Sequence, residues 1–339
     1  MKTITLIEPG KLELSHTSFS QTPGPGEALV RVRRIGICGT DIHAHAGRQP
    51  FFSYPRILGH ELGVEVLETG EGVERIKPGD KCSVEPYLNC GKCIACRRGK
   101  PNCCADIQVL GVHTDGGMRE QFVIRTNKLH TSEKLDFDQL ALVEPLAIGC
   151  HAVDRALLER GEFALVIGAG PIGLATIQFA LEAGARVIVL DVNEARLAFC
   201  REALGVEFTI DATKQKTIDA LLDITKSDLP TAVFDATGNP KSMAAAFEYP
   251  APGGRMVFVG LFQGDVTFND PLFHKREMTL MGSRNARPQD FSRIIDLIEM
   301  GRIDTKPWIT HRASFECAVE KFPCWTKPET GVIKAIIEL

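Results

Sequence analysis

Short apolar segments that alternate with polar positions fill the first 145 residues of the chain. Examples are ALVRVR at 28–33, GVEVLE at 63–68 and the segment 81–85, which glycine or proline turns separate. A period of two residues between bounding turns is typical of β-strands with one buried face. The pattern therefore predicts a mostly antiparallel β domain with long loops.

The pattern changes near residue 163, where an apolar strand, a glycine-rich turn, an apolar helix and a second strand follow one another. The sequence reads FALVIGAGPIG, then LATIQFALEAG, then RVIVLDV. This order predicts a βαβ unit. It continues through TAVFDATGN, SMAAAFEY, GGRMVFVGLF and MTLMGSRN, and such alternation indicates a parallel sheet covered on both faces.

These patterns divide the chain into three segments of an α/β protein. We expect residues 1–148 to form the β-rich domain and residues 149–284 to form a doubly wound, nucleotide-type domain. Residues 285–339 contain a helix at 288–300, a short helical turn and a final strand at 331–339. They are too few to form a domain of their own, so we expect them to return to the first domain.

Composition limits the classes of function. A chain of 339 residues is longer than one core usually fills. A formal net charge of −4 offers no general attraction for nucleic acid or anionic lipid, and no apolar run approaches the roughly 20 residues that span a bilayer. The N-terminal segment lacks a signal-peptide pattern. Eleven cysteines in such a chain favour a reducing compartment, so we expect a cytoplasmic protein without nucleic-acid or membrane partners.

Four cysteines lie close together, with the spacing C-x2-C-x2-C-x7-C. Four thiolates spaced in this way can close a tetrahedral cage around one Zn²⁺, with Zn–S bonds of about 2.3 Å. The alternative is that they are small buried apolar residues, but their loop is rich in glycine, lysine and arginine. The spacing predicts a structural zinc site made by Cys90, Cys93, Cys96 and Cys104.

A glycine motif follows the first strand of the βαβ unit. Gly168, Gly170 and Gly173 form G-x-G-x-x-G, where backbone N–H groups and the helix dipole can bind a pyrophosphate. Asp191 ends the next strand, where a carboxylate binds the ribose hydroxyls of NAD and repels the 2′-phosphate of NADP. Arg196 keeps NADP as an alternative. A purely structural alternative is that the glycines serve a tight turn and that Asp191 caps the following helix.

A second group of metal-binding side chains lies in two further segments, GICGTDIH and GHE. A thiolate from Cys38, an imidazole from His60 and a carboxylate from Glu61, on two loops, would make a mixed zinc site with an exchangeable position. Glu144, directly before Pro145, is a second carboxylate that would face the same metal. Taken singly, each residue would be a buried thiol, a satisfied histidine or a surface acid, but together they predict a catalytic metal.

In this order and spacing, the motifs resemble those of the zinc-dependent medium-chain dehydrogenases, the superfamily of alcohol, sorbitol and threonine dehydrogenases. The resemblance covers essentially the whole chain and rests on GICGTDIH, GHE, the four-cysteine loop, the Glu-Pro pair and GAGPIG. It implies a GroES-like catalytic domain and a Rossmann domain. The segments QPFFSYPRILGHE, VLGVHTDGG and MGSRNARPQDF are most similar to the sugar-acid and polyol branch, in particular to bacterial L-galactonate 5-dehydrogenase-like oxidoreductases.

The resemblance implies two Zn²⁺ per chain, one catalytic and one structural, and NAD as the cofactor. Cys38 and His60 would bind the catalytic zinc, with Glu61 as an adjacent or exchanging ligand. Glu144 stands where alcohol dehydrogenases have a cysteine. The sorbitol dehydrogenase branch has a glutamate there, which implies that Glu144 would hold the metal directly or through water.

The resemblance also implies how the proton and the hydride move. Thr40 would contact the substrate oxygen, and His43, with an ordinary pKa near 6.5, would pass the proton to solvent. Zinc would acidify the substrate hydroxyl, and the nicotinamide, held in the cleft between the domains, would accept the hydride. The predicted catalytic residues are therefore Thr40, His43 and Glu61.

Two further sets complete the predicted site. The residues expected to contact the cofactor are Gly168, Gly170, Pro171, Ile172, Gly173, Asp191, Arg196, Thr237, Val259 and Ser283. The residues expected to contact the substrate are Phe51, Tyr54, His113 and Arg284, with Arg48, Arg119, Phe52 and Asn285 as further candidates.

These observations predict a zinc-dependent, NAD-linked oxidation of a secondary hydroxyl of a sugar acid or polyol, such as L-galactonate. A sorbitol-type polyol dehydrogenase, an L-threonine 3-dehydrogenase and a non-catalytic NAD-binding relative are the alternatives. By resemblance we expect a homodimer or homotetramer, in which the sheet edges of the nucleotide domains pair. The remaining cysteines are interpreted as packing residues: Cys82, Cys103, Cys150, Cys200, Cys317 and Cys324.

Overall fold

The computed structural model describes residues 1–49 and 52–339. The backbone divides into two compact units, of which one contains Met1–Pro145 together with Arg287–Leu339, and the other contains Leu146–Ala286. The expected fold class, a mostly β domain together with a doubly wound parallel-sheet domain, is confirmed.

The first unit starts with a hairpin and continues with a β-rich segment. Its elements up to residue 145 are β1 (Lys2–Glu8), β2 (Lys11–His16), β3 (Glu27–Gly36), α1 (Gly39–His45), β4 (Glu61–Thr69), β5 (Lys81–Val84), β6 (Tyr87–Leu88), α2 (Ile94–Arg97), β7 (Gln108–Val109), β8 (Gln121–Arg125), β9 (Leu129–Thr131) and α3 (Phe137–Ala141). Helix α4 (Val143–Ala156) contains the boundary between the two units.

The second unit alternates strands and helices. Its further elements are β10 (Phe163–Ile167), α5 (Pro171–Glu182), β11 (Arg186–Asp191), α6 (Glu194–Leu204), β12 (Phe208–Asp211), α7 (Thr217–Thr225), β13 (Ala232–Asp235), α8 (Pro240–Ala245), β14 (Arg255–Phe258), α9 (Asp270–Lys275) and β15 (Thr279–Gly282). The chain then returns to the first unit with α10 (Pro288–Glu299), β16 (Ile309–Ser314), α11 (Ala318–Trp325) and β17 (Lys334–Glu338).

A mixed sheet carries the core of the first unit. Its strands lie in the order β16-β17-β3-β4-β5-β9, and β8 also pairs with β3. The pairings are antiparallel except that of β16 with β17. Val30, Val32 and Ile35 of β3 are fully buried. The segment after residue 286 therefore supplies two neighbouring strands of this sheet, and β17 is bound directly to β3.

The second unit contains a parallel sheet with the strand order β12-β11-β10-β13-β14-β15. The apolar strand residues are buried, among them Leu165 of β10, Ile188 of β11 and Val233 of β13. Strands with continuous apolar runs suit a sheet covered on both faces. At one edge, β15 is mostly exposed, and its Leu280 keeps 39% of its surface accessible.

The sequence patterns did not identify some of the elements. Strand β12 is short, and β16 has alternate positions occupied by polar side chains, so neither carries an apolar run. The final strand begins at Lys334 rather than at residue 331, because a 3₁₀ turn at Pro328–Thr330 precedes it. The packing interpretation is wrong for three cysteines, which are exposed: Cys103, Cys317 and Cys324.

Within 1–49 and 52–339, the helices are too short or too polar to cross a membrane.

Candidate functional site

Cys38, His60 and Glu61 meet in the first unit, and one ligand atom from each lies within 4.8 Å of the others. Cys38 is the residue that caps the start of α1, while His60 precedes β4 and Glu61 is its first residue. His60 and Glu61 are buried, and Cys38 is half-buried. Cys38 and His60 therefore lie in the two loops that precede α1 and β4, and Glu61 is the first residue of the strand.

Asp41 connects two of these residues, although the sequence analysis gave it no role. Its Oδ2 accepts the backbone N–H of Cys38 at 3.0 Å, and its Oδ1 lies 3.8 Å from Nδ1 of His60. Burial raises the pKa of Asp41, which the nearby His60 opposes. Burial alone would lower the pKa of His60, but the charges of Asp41 and Cys38 hold it well above its usual value. A carboxylate three residues after a helix cap was the signal for this contact.

Glu61 is held by a buried cation that the sequence analysis also missed. Nζ of Lys334 lies 2.7 Å from both Oε1 and Oε2 of Glu61 and donates to the carbonyl of Ile37 at 3.1 Å. The two side chains are 1% and 0% exposed. A Cβ on Gly36 would lie 2.1 Å from Oε2 of Glu61, so the glycine provides the space for this carboxylate.

Glu144 lies in the first turn of α4 and is buried. Among the residues that the structure describes, it does not belong to the group within 4.8 Å. The phenol of Tyr87 donates to its Oε1. Burial raises the pKa of Glu144, as does the charge of Glu61, while His60 lowers it. Glu144 is therefore a second carboxylate that interacts with the group electrostatically.

The chemistry of these donors fits Zn²⁺. Thiolate, imidazole and carboxylate are its usual protein ligands, and a set of three leaves a position for an exchangeable ligand. Nδ1 of His60 and Oδ1 of Asp41 are both buried, and neither has a hydrogen-bond partner in the described part of the chain. A buried polar cluster that lacks partners is costly unless something else completes it, and an ion at this position would do so.

Thr40 and His43 lie three residues apart on α1, which places them on one side of the helix. Thr40 is half-buried, while His43 is exposed. Burial and the positive charge of Arg48 lower the pKa of His43. His43 is therefore neutral at pH 7 and able to accept a proton.

The structure gives the predicted substrate residues different surroundings. Phe51 lies outside the described residues. The hydroxyl of Tyr54 donates to the carbonyl of Ala44 in α1 at 2.5 Å, and Nδ1 of His113 accepts the N–H of Val109 at 3.1 Å. Arg284 is exposed directly after β15. Among the further candidates, Phe52 packs edge-on against Tyr54, and the guanidinium of Arg119 lies over the ring of Phe122.

The four cysteines of the C-x2-C-x2-C-x7-C segment converge, and one sulfur from each lies within 4.8 Å of the others. None forms a disulfide. Backbone N–H groups of Cys96 and Ala105 lower the pKa of Cys93 to about 6, which favours the thiolate. Strands β6 and β7 pair at the base of this loop. Four converging sulfurs with an available thiolate fit a structural zinc.

Five of the predicted cofactor residues in the second unit lie at the carboxyl ends of its parallel strands. Asp191 ends β11, and the other four follow the carboxyl ends of β10, β13, β14 and β15, directly or, for Thr237, after one residue. In doubly wound sheets, nucleotides bind at the carboxyl ends of the strands. The set is Asp191, Gly168, Thr237, Val259 and Ser283.

The glycines of the motif have separate tasks. Gly168 has φ +92°, a conformation that favours glycine. A Cβ on Gly173 would lie 1.7 Å from the carbonyl oxygen of Gly168, so only glycine fits where α5 packs against the turn. A Cβ on Gly170 would meet no atom within 4 Å. Gly170 therefore leaves open space at the start of α5, beside Pro171 and Ile172, where a pyrophosphate fits.

Asp191 forms a hydrogen bond with the backbone of the glycine turn. Its Oδ2 accepts the N–H of Ala169 at 2.6 Å, and its Oδ1 accepts the N–H of Asn193 at 2.9 Å. The cap of α6 is Asn193, so the alternative that Asp191 caps this helix is wrong. Arg196 is half-buried, and burial lowers its pKa while the charge of Asp191 opposes this.

Two family descriptions match the chain. The alcohol dehydrogenase GroES-like domain matches residues 24–134, and the zinc-binding dehydrogenase matches residues 171–300. Both the four-cysteine loop and the Cys38 group lie within the first match, and the second match begins inside the glycine motif, at Pro171.

Similar proteins match over nearly the whole chain. L-galactonate-5-dehydrogenase of Escherichia coli (strain K12) is 42% identical over 316 residues, which are 93% of this chain and 92% of that protein. The structure of the rspB alcohol dehydrogenase of E. coli CFT073, complexed with NADH, is 29% identical with a TM-score of 0.92 and covers 100% of this chain and 99% of that one. A putative zinc-binding dehydrogenase from Sinorhizobium meliloti 1021, bound to NADP, is 28% identical with a TM-score of 0.91 and the same coverage.

Proposed function

Since the chain belongs to the zinc-dependent medium-chain alcohol dehydrogenases, we propose that it oxidises a secondary hydroxyl of a sugar acid or polyol to the ketone, with NAD as hydride acceptor. The observation that carries the proposal is the convergence of Cys38, His60 and Glu61 within 4.8 Å. The choice of a sugar acid such as L-galactonate is supported by the 42% identity to L-galactonate-5-dehydrogenase.

Two ions per chain are part of this proposal. Cys38 and His60, with Glu61 or Glu144, would hold the first, and the four cysteines would hold the second. When bound, the first ion supplies Lewis acidity that makes the substrate hydroxyl easier to ionise. The second does no chemistry and stabilises its loop.

The residues of α1 provide the route for the proton. Thr40 has a hydroxyl that both donates and accepts, so it can pass a proton from the substrate oxygen. His43 is exposed and neutral, and it can release that proton to solvent. A bound NAD would supply the acceptor for the hydride of the carbon that carries the hydroxyl, so that one C–H and one O–H bond break as the C=O bond forms.

The charged side chains near the two predicted sites support NAD as the cofactor and a sugar acid as the substrate. The carboxylate of Asp191, at the end of β11, disfavours a 2′-phosphate, so NAD is the proposed cofactor. Arg48 lies close enough to His43 to lower its pKa, and its exposed guanidinium is available to the carboxylate of a sugar acid. An aliphatic alcohol would use neither Arg48 nor Arg284.

The proposal predicts that the zinc-loaded protein reduces NAD with L-galactonate in preference to other aldonates, sorbitol, L-threonine and simple alcohols. The measurement is the initial rate of NADH appearance for each compound, repeated with NADP. Metal-free protein is the control, and its rate should be at background. Turnover of ethanol with no response to any aldonate or polyol would contradict the substrate class, while a preference for L-threonine would favour the threonine dehydrogenase alternative.

We also propose that the protein is a homodimer or homotetramer. Strand β15 is an exposed edge of the parallel sheet, and exposed edges pair readily with a second copy. Leu280 and Phe268 are exposed apolar side chains at and before this strand. Light scattering should give the mass of two or four chains, and a monomer at micromolar concentration would refute this proposal.

A further inference from the structure

Tyr87 is a buried phenol outside every predicted set of site residues. It lies on β6, which leads into the four-cysteine loop, and it pairs with Val109 of β7. Only 3% of its surface is exposed. Its ring meets Phe291 edge-on, with centroids 6.3 Å apart. The backbone pairing and the ring contact fix the direction of the hydroxyl, which donates to Oε1 of Glu144.

The two carboxylates of the site are held differently. Lys334 contacts both oxygens of Glu61, whereas Tyr87 contacts one oxygen of Glu144. A carboxylate that is free at both oxygens can chelate a divalent ion with two bonds. A hydroxyl fixed at Oε1 uses one lone pair of that oxygen and so disfavours chelation of the ion by both oxygens.

We propose that Tyr87 is a positioning residue of the catalytic metal site: it restricts Glu144 to one metal-binding oxygen and so keeps a ligand position open for the substrate. The inference rests on the proposed function, because it requires Glu144 to act at the metal. It assigns to Tyr87 a task that depends on its hydroxyl and not on its ring.

The test is the Tyr87→Phe variant, loaded with Co²⁺ at the catalytic site and compared with the unaltered protein. Phenylalanine keeps the ring packing against Phe291 but frees Oε1 of Glu144. We expect equal or higher metal content, a weaker visible d–d absorption as the ion gains a ligand, and a kcat about 10–100-fold lower. A role confined to folding would instead lower metal content and unfolding stability together, and that result would overturn the inference.

Two further variants separate the possible failures. Tyr249→Phe is the matched control, because Tyr249 is a half-buried tyrosine of the second unit, and it should change neither spectrum nor kcat. Glu144→Gln should alter the cobalt spectrum if Glu144 acts at the metal. If Glu144→Gln alters the spectrum and Tyr87→Phe does not, the role of Tyr87 is wrong while the site stands. If neither alters it, Glu144 is not at the metal, and both the ligand assignment and this inference fail.

Discussion

Replacing His60 by alanine is expected to abolish turnover while leaving cofactor binding within about twofold of the unaltered protein. His60 is a buried member of the Cys38 group, so its loss is expected to remove the proposed catalytic ion. A Lewis acid contributes several kcal/mol to transition-state stabilisation, and kcat should therefore fall by about a thousandfold or more. The glycine motif and Asp191 lie in the other unit and keep their structure. The measurements are kcat and the titration of NADH fluorescence.

The four-cysteine loop supplies a control with the opposite expectation. Cys93→Ser combined with Cys96→Ser should lower the stability of the first unit, because binding energy at a structural zinc acts as folding energy. Trp308 and Trp325, the only two tryptophans, both lie in that unit and are buried. Their fluorescence therefore follows its unfolding selectively.

Metal analysis connects the two variants. Each should lose one zinc of the proposed two per chain, and the double cysteine variant should lose more of the stability of the first unit than the histidine variant. Activity that survives His60→Ala would show that the catalytic site is assigned wrongly. Unchanged unfolding of the double cysteine variant would contradict a structural metal.

The second large effect is expected at Lys334. Lys334→Met leaves the carboxylate of Glu61 buried without its cation, and breaking a buried pair on one side typically costs about 3–5 kcal/mol. We expect the free energy of unfolding of the metal-free first unit to fall by about this amount, as measured by denaturant titration of tryptophan fluorescence. The loss should be smaller with zinc bound, because the ion then offsets part of the charge of Glu61.

A double-mutant cycle isolates this interaction. Adding Glu61→Gln to Lys334→Met removes the unpaired charge, so the double variant should be more stable than Lys334→Met alone. Lys321→Met is the matched control, because Lys321 lies on α11 of the same unit with 51% of its side chain exposed. If Lys334→Met unfolds like this control, the ion pair does not contribute to stability.

The sequence was sufficient for features that depend on near neighbours. The strand, glycine turn and helix at residues 163–182 are a local pattern, and the structure confirms them as β10, the turn and α5. The parallel sheet followed from the same alternation, since βαβ connections place their strands side by side in one parallel sheet. The convergence of the four cysteines also followed from spacing, because they lie within one short loop.

Local sequence patterns could not predict contacts between segments that are far apart in the chain. Lys334 begins a short strand whose next three residues are apolar, and no local feature shows that its partner lies 273 residues earlier. Tyr87 and Glu144 are 57 residues apart, and an isolated tyrosine before a cysteine motif suggests only packing. The contact of Asp41 with the backbone of Cys38 is local, and a carboxylate three residues after a helix cap is the sequence feature that predicts it.

The place of Lys334 in the chain has a consequence for the order of events during synthesis. Ribosomes add about 5–20 residues per second. Lys334 follows Glu61 by 273 residues, so it is synthesised roughly 15–55 s later. The second unit is one continuous segment that ends before Lys334, and it can fold during this interval. The first unit cannot complete its sheet or neutralise Glu61 until β17 emerges. A nascent chain arrested before residue 334 therefore carries Glu61 without its cation within the proposed metal site, even when the second unit has folded.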